Sequence, residues 1–227
     1  MIGILCKENE KGFAREFFEL FKTPWEFYVE GKMYNVVLST ENRIPQVNTN
    51  LTIIYSHAEI QNELSCGINR KVKYHGDIVF NNYFEIPIYG DLCTFEGEDQ
   101  SLLKIKRNSE SEGVRIHFSN SFLIRIGYNI FEEVAFLLKV GQPRENAHIP
   151  TLEIHISMLR NWILEAGIPI VEIPAIPVGY NFMICLTHDV DFIKITQHKF
   201  DHTLIGFLYR ALFVSLNNFL IFSLSSG

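Results

Sequence analysis

The chain has 227 residues and a formal net charge of −6, with 47% hydrophobic and 20% charged residues. This length suits one large domain or one and a half ordinary ones, and the composition excludes an extended disordered chain. The net charge is negative and no long cluster of lysine and arginine occurs, so the sequence argues against nucleic-acid binding.

The N-terminal part has the pattern of an α/β domain. Residues 2–6 predict a strand, and residues 8–22 predict an amphipathic helix whose apolar face carries Phe13, Phe17, Leu20 and Phe21. Two β-branched, apolar runs at residues 35–38 and 51–55 predict further strands. A strand, a helix and two more strands in this order indicate an α/β domain.

The pattern changes in the middle of the chain. Residues 70–118 predict short strands, with a polar loop at 108–113. Residues 121–140 predict one long helix closed by Gly141, and residues 151–166 predict a second helix capped by Gly167.

A proline-punctuated link follows at residues 168–180. It contains Pro169, Pro174 and Pro177, which suit an ordered connector that is not helical. The sequence therefore predicts an N-terminal α/β domain at residues 1–178 and a second unit at 179–227. The apolar run at residues 182–186 predicts a buried strand that opens the second unit.

The predicted strand leads directly into two carboxylates, Asp189 and Asp191. Extended backbone through Val190 places both side chains on one side, where one carboxylate can ligate a divalent cation and the other can accept a proton. His188 would then point away from them. The same Asp-x-Asp pattern also suits a pair of helix-capping residues that bind nothing.

The surrounding sequence resembles a known enzyme family. Pro177-Val178-Gly179-Tyr180-Asn181-Phe182 leading into Leu186-Thr187-His188-Asp189-Val190-Asp191 is similar to the first motif of the NodB-type polysaccharide deacetylases. The string is closest to a subgroup in which Thr-His-Asp-Val-Asp replaces the commoner Thr-Phe-Asp-Asp-Gly. The resemblance covers the last fifth of the chain well and extends more weakly to residues 151–180, whereas residues 1–150 carry no motif of the family.

The resemblance implies a distorted (β/α) barrel, whose first strand this motif ends, and a metal-dependent N-deacetylase acting on a polysaccharide. It implies that Asp189 is the general base and that Asp191 is a ligand of a metal ion, usually zinc. The family's His-x-x-x-His motif is expected some tens of residues further along. His198 and His202 have that spacing but follow Asp191 too early, which leaves them as secondary candidates. The chain is therefore expected to be an N-terminal portion with an incomplete barrel, inactive by itself.

Two other functions remain open at this point. A non-catalytic module would use residues 1–178 to bind a glycan or a partner protein and carry an inert motif. A glycosyltransferase would use Asp-x-Asp to hold the cation of a nucleotide sugar, but its nucleotide-binding fold would have to precede the motif, and Thr187-His188 would have no role.

The remaining polar residues are expected to have ordinary structural roles. His57, His75, His117, His148 and His155 show no ligand spacing. Adjacent helix residues diverge by about 100°, so Glu132 and Glu133 cannot easily share one site. We expect both of them to lie on a solvated helix face. The four separated cysteines, Cys6, Cys66, Cys93 and Cys185, predict buried free thiols in a reducing compartment.

The two ends of the chain carry information about the cellular location of the protein. The first residues lack the basic region and the length of a signal peptide, which predicts a cytoplasmic protein. Residues 204–224 are mostly apolar and long enough for a membrane span. They also contain Arg210, Asn217 and Asn218, which are costly in mid-bilayer, so a helix packed against the fold is the prediction.

Overall fold

Five short parallel strands form one half of a nine-stranded mixed sheet in this computed structural model, which describes residues 1–45, 47–96, 101–174, 176–187 and 202–214. The strands are β1 (Ile2–Leu5), β2 (Trp25–Phe27), β3 (Val36–Ser39), β4 (Leu51–Tyr55), β5 (Arg70–Phe80), β6 (Glu85–Phe95), β7 (Ser101–Ile105), β8 (Ser111–Phe118) and β9 (Ser121–Ile126). The helices are α1 (Lys11–Phe21), α2 (Ile130–Lys139), α3 (Thr151–Glu165) and α4 (His202–Tyr209).

The strand order is β2-β1-β3-β4-β9-β8-β6-β5-β7. Strands β2, β1, β3, β4 and β9 pair in parallel, and β8 joins β9 antiparallel. Strand β7 pairs with both β5 and β8, so β5, β6, β8 and β7 close into a small antiparallel barrel. The mixed α/β class predicted from the sequence is confirmed.

The apolar side chains divide between the two faces of the sheet because successive strand residues point to opposite sides. Ile53 of β4 and Ile124 of β9 join the large core that also contains the apolar residues of α1, α2 and α3. Their neighbours Ile54 and Leu123 join a smaller cluster on the other face.

The predicted helix at residues 121–140 is wrong in its first half. Residues Ser121–Ile126 form β9, which lies between β4 and β8 in full register with both, and the helix begins only at Ile130. The apolar run suits either structure locally, and pairing on both edges of the strand decides between them. The predicted polar loop at 108–113 is also too long, because β8 begins at Ser111.

The prolines of the link are compatible with its observed conformation. Its described residues form neither helix nor strand. Its first part is fastened to the domain, since Ile173 N donates to Lys22 O at 3.0 Å and Arg160 Nε pairs with Glu172 Oε1 at 2.7 Å. The chain divides into two compact units, Met1–Pro174 and Ala175–Gly227.

The predicted strand at residues 182–186 is absent from the structure. These residues have no regular secondary structure, and the side chains of Phe182, Ile184 and Leu186 are 68%, 70% and 88% exposed. A strand needs a hydrogen-bonding neighbour, and this segment pairs with no strand of the described chain. Cys185 is exposed, contrary to the predicted buried thiol, whereas Cys93 is fully buried.

Helix α4 is short and apolar, and it continues through a π turn at Arg210–Val214. In the part of the chain that the structure describes, no helix combines the length and the hydrophobicity that crossing a bilayer requires.

Candidate functional site

Most of the site residues predicted from the motif lie outside the described residues. Asp189, Asp191 and His198 all do, so the shared orientation of the two carboxylates stays a prediction. His202 is the first residue of α4 and is exposed. The structure therefore does not test whether these four side chains meet.

A second group of polar residues lies where the fold predicts a site. In sheets of parallel strands, ligands bind outside the carboxyl ends of the strands. In this domain β1, β3, β4 and β9 end at the same edge, and they are followed by Lys7, Thr40, His57 and Asn129 respectively. Helices α1 and α2 begin at this edge, which we call the carboxyl edge.

Glu10 is the buried centre of the carboxyl edge, with 3% of the residue exposed. Its Oε2 accepts a hydrogen bond from Lys7 N at 3.1 Å and another from the hydroxyl of Thr40. Its Oε1 accepts from Asn129 Nδ2 at 2.7 Å and lies 3.6 Å from Lys7 Nζ. Both oxygens are thus occupied by protein donors, and this carboxylate ties three strand ends together.

Asn129 has two roles at this edge. Its Oδ1 accepts from Phe131 N at 3.0 Å and from Glu132 N at 3.4 Å, which caps the first turn of α2. Its amide nitrogen donates to Glu10 and, at 3.3 Å, to Glu132 Oε1. The cap therefore fixes the start of α2 against the strand ends.

His57 and Glu132 form a partly exposed pair of ionisable groups at the carboxyl edge. His57 Nε2 lies 3.4 Å from Glu132 Oε2, with 23% and 45% of the two side chains exposed. His57 Nδ1 is buried and has no hydrogen-bond partner within the described chain. An imidazole close to a carboxylate is an arrangement that can take part in proton transfer.

In the part of the chain that the structure describes, the carboxyl edge provides no activated nucleophile next to His57. Burial, with Glu10 as the next cause, raises the pKa of the half-buried Cys6 to about 11, so Cys6 is a thiol at neutral pH. The hydroxyl of Ser56 accepts from Ala58 N at 3.1 Å and that of Ser39 accepts from Glu41 N at 3.2 Å. These two hydroxyls accept hydrogen bonds within their local turns. The carboxyl edge can therefore bind a ligand or transfer a proton, but its described residues offer no group for covalent catalysis.

Glu133 does not lie on a solvated face as the sequence predicted. It is 1% exposed, and its two oxygens accept from Tyr89 N at 2.9 Å and Gly90 N at 2.7 Å. Burial raises the pKa of its carboxyl group. The reason is tertiary, because β6 passes over this face of α2 and offers two backbone donors. A Cβ at Gly90 would lie 2.8 Å from Glu133 Oε1, so glycine allows this approach without displacing the carboxylate.

His155 confirms the structural role predicted for it. It is fully buried, and its Nδ1 lies 3.2 Å from the hydroxyl of Tyr128. Burial lowers its pKa to about 3, which keeps the imidazole neutral.

The carboxyl edge was missed by reasoning from spacing alone. Glu10, Thr40, His57 and Asn129 are separated by tens of residues, and only strand adjacency joins them. Glu10, Thr40 and His57 each lie within five residues of the end of a predicted strand, whereas Asn129 lies inside the helix predicted at residues 121–140 and has no such signal. Within the described residues no three side chains of His, Cys, Asp or Glu come together to hold a metal ion.

Comparison with known proteins identifies related folds only. No family model matches the chain, and no curated protein matches it. Among solved structures, Gan42B, a GH42 beta-galactosidase, has a TM-score of 0.51 at 6% sequence identity. A catalytic mutant of Gan42B from G. stearothermophilus has the same TM-score at 5% identity. Each alignment covers 74% of this chain and 30% of the other.

A beta-galactosidase from the psychrophilic Marinomonas ef1 aligns with a TM-score of 0.48 at 5% identity, over 77% of this chain and 30% of that one. This chain thus spans about a third of the length of these enzymes. At such identities the likeness to the two Gan42B structures is a likeness of fold, and it assigns no active-site residue to this chain.

Proposed function

We propose that this chain is the N-terminal portion of a metal-dependent polysaccharide N-deacetylase. The observation that carries the proposal is the string Thr187-His188-Asp189-Val190-Asp191, preceded by Pro177-Val178-Gly179-Tyr180. Residues 1–178 would be an accessory α/β domain, and residues 179–227 would begin the catalytic (β/α) barrel.

The exposed apolar run before the motif supports this proposal. Phe182, Ile184 and Leu186 are apolar side chains at alternate positions, and all three are largely exposed. Contiguous apolar side chains of this kind need to be covered by another surface. The remaining strands and helices of a barrel would provide both the covering surface and the strand neighbours that residues 182–186 lack.

The roles of the two carboxylates follow from the resemblance. Asp189 would accept the proton of the water that attacks the N-acetyl carbonyl, and Asp191 would contribute one ligand of the metal ion. One carboxylate does not make a catalytic zinc site, which normally has three protein ligands. The resemblance implies that the family's His-x-x-x-His motif would supply the other ligands, so the metal would depend on histidines beyond this motif.

Zinc titration by calorimetry tests the incomplete site. The 227-residue chain should bind zinc weakly, because in this proposal the imidazoles that supply most of the affinity come from the family's later His-x-x-x-His motif. Micromolar or tighter binding that is lost in Asp191→Ala, His198→Ala and His202→Ala alike would contradict the proposal. It would show that the chain completes a metal site by itself.

Acetate release from N-acetylated chitooligosaccharides tests the activity. The 227-residue chain should show no turnover. A chain extended past Gly227 along its encoding DNA should release acetate and lose that activity in Asp189→Asn. Asp91→Asn, a substitution in the first unit, is the matched control and should retain it. A stop codon directly after Gly227, or an extended chain without His-x-x-x-His, would refute the proposal.

The second candidate is a non-catalytic module that binds a glycan or a protein. Two observations favour it. The unit Met1–Pro174 has a hydrophobic core of its own. At the carboxyl edge, both oxygens of Glu10 accept hydrogen bonds from donors of the same domain. The extended chain separates the two candidates, because only the deacetylase releases acetate.

A further inference from the structure

A cleft of about 540 Å³ opens between the β5–β6 turn, strand β7 and helix α3. Its size lies within the range of about 300–1,000 Å³ that is usual for small-molecule sites. Aromatic rings and side-chain amides line it together, and the residues that matter here are Tyr83, Phe84, Trp162, Asn81, Asn82 and Asn161. All the residues that line the cleft belong to the unit Met1–Pro174.

One wall of the cleft is a turn held rigid by its own hydrogen bonds. Asn81 Oδ1 accepts from Tyr83 N at 2.8 Å and from Phe84 N at 3.2 Å. Asn81 N donates to Phe84 O at 3.1 Å, which closes the turn between β5 and β6. The turn therefore fixes the backbone of Tyr83 at the edge of the cleft, so no backbone ordering is needed when a ligand stacks on the ring.

The Tyr83 side chain has no structural explanation. The residue is 90% exposed, so its ring contributes almost nothing to the core. A large aromatic ring on a rigid, exposed turn is typical of a binding surface, since aromatic rings give large contact area at low entropic cost.

Helix α3 forms the opposite wall of the cleft. Trp162 of α3 is 5% exposed and packs against Tyr55 with ring centroids 6.4 Å apart. Its neighbour Asn161 is exposed toward the cleft that both residues line. Glu165, one turn further, pairs with the guanidinium of Arg115, so its charge is already compensated.

We propose that this cleft binds a short, uncharged oligosaccharide. A sugar ring offers an apolar face of C–H groups, which suits Tyr83 and Phe84, and a rim of hydroxyls that both donate and accept. Side-chain amides do the same, so Asn82 and Asn161 match that rim. Among its described residues the lining holds Lys104 but no arginine fork or cluster of positive charge for an anionic ligand.

A proline-rich peptide is the main competitor for an aromatic cleft. Its backbone presents mostly carbonyl acceptors, and it would leave the amide oxygens of Asn82 and Asn161 without donors. The mixed donor and acceptor lining favours the saccharide. This inference does not rest on the deacetylase proposal, because binding to the cleft is measured without turnover.

Calorimetry and NMR titration of the 227-residue chain with chitotetraose and with cellotetraose test the inference. We expect saturable binding of at least one of them. Tyr83→Ala should weaken it about ten-fold, which corresponds to a stacking contribution of about 1.4 kcal/mol, while Tyr83→Phe keeps the ring and should bind as the parent does. Asn161→Ala should also weaken binding.

Leu64→Ala is the matched control, because Leu64 is 75% exposed and does not line the cleft. It should leave binding unchanged. Failure of both oligosaccharides to bind at millimolar concentration would overturn the inference, as would binding that Tyr83→Ala does not affect. Binding of a proline-rich peptide alone would assign the cleft to a peptide. Acetate release from the extended chain is independent of all these outcomes, so the two proposals can fail separately.

Discussion

Arg125 and Glu63 form an ion pair, with Nε and Oε1 2.6 Å apart, in which the two side chains are only 0% and 5% exposed. The guanidinium of Arg125 also donates to Ser56 O at 2.5 Å and to Ala58 O at 3.0 Å. Glu63 Oε2 accepts from Ile60 N at 3.1 Å. Residues 56–63 leave the carboxyl edge of the sheet after β4, and this network fastens them to β9.

Arg125→Met should lower the free energy of unfolding by about 3–5 kcal/mol. Removing one partner of a buried ion pair leaves the other charge without compensation, and here it also removes the guanidinium donors from the carbonyls of Ser56 and Ala58. Urea denaturation followed by circular dichroism measures the change.

The double variant Arg125→Met, Glu63→Met should recover part of the loss, because no isolated charge remains buried. Arg144→Met, which changes an exposed arginine, should be neutral within about 0.5 kcal/mol. A single variant as stable as the parent would show that the network does not hold the segment.

Glu112→Gln should stabilise the protein, and the gain should grow with pH. Glu112 is fully buried, Gly127 N donates to its Oε1 at 2.6 Å, and its Oε2 has no hydrogen-bond partner within the described chain. Burial raises its pKa well above the ordinary value of 4.5. The folded state therefore keeps a proton that the unfolded state loses above pH 4.5, so stability falls as pH rises past that value.

The neutral glutamine removes this pH-dependent loss. The difference in unfolding free energy between the variant and the parent should increase steadily from pH 5 to pH 8 in urea titrations. Glu153→Gln, at an exposed position in the first turn of α3, is the control. A constant difference across this range would mean that Glu112 is ionised in the folded protein.

Gly127→Ala should destabilise the fold by about 3 kcal/mol or more, as overpacking against a fixed backbone does. A Cβ at Gly127 would lie 2.0 Å from Cys93 O. Neither strand can move away easily, since Cys93 N donates to Gly127 O at 2.9 Å.

Gly12→Ala is the opposite case and the matched control. A Cβ at Gly12 meets no atom within 4 Å, and Gly12 lies inside α1. Alanine should stabilise this helix by about 0.5–1 kcal/mol. Thermal melting of the two variants should shift the midpoint in opposite directions, and shifts of the same sign would contradict the contact geometry.

Local patterns sufficed for the elements whose neighbours are close in sequence or whose periodicity is strong. The strand at Ile2–Leu5, the helix at Lys11–Phe21 and the helix at Thr151–Glu165 agree with their predictions to within a few residues. A single amphipathic stripe or a short apolar run is enough to define each of them.

Sequence patterns failed where a residue's environment comes from a distant segment. Ser121–Ile126 is apolar enough for a helix, and its pairing with β4 and β8 makes it a strand. The local sequence predicts that Glu133 is a surface residue of α2, but the backbone of β6 buries it. Neither neighbour can be inferred from the local sequence.

The sequence by itself determined the α/β class, the proline-punctuated link and the Asp-x-Asp motif, because each of these depends on a few adjacent residues. Only the tertiary structure decided how Glu10, Thr40 and Asn129 meet, and that Tyr83 and Trp162 share a cleft. These groups come from strands and helices far apart in the chain. The order in which the strands pair brings them together, and that order is set by the burial of whole faces of the sheet.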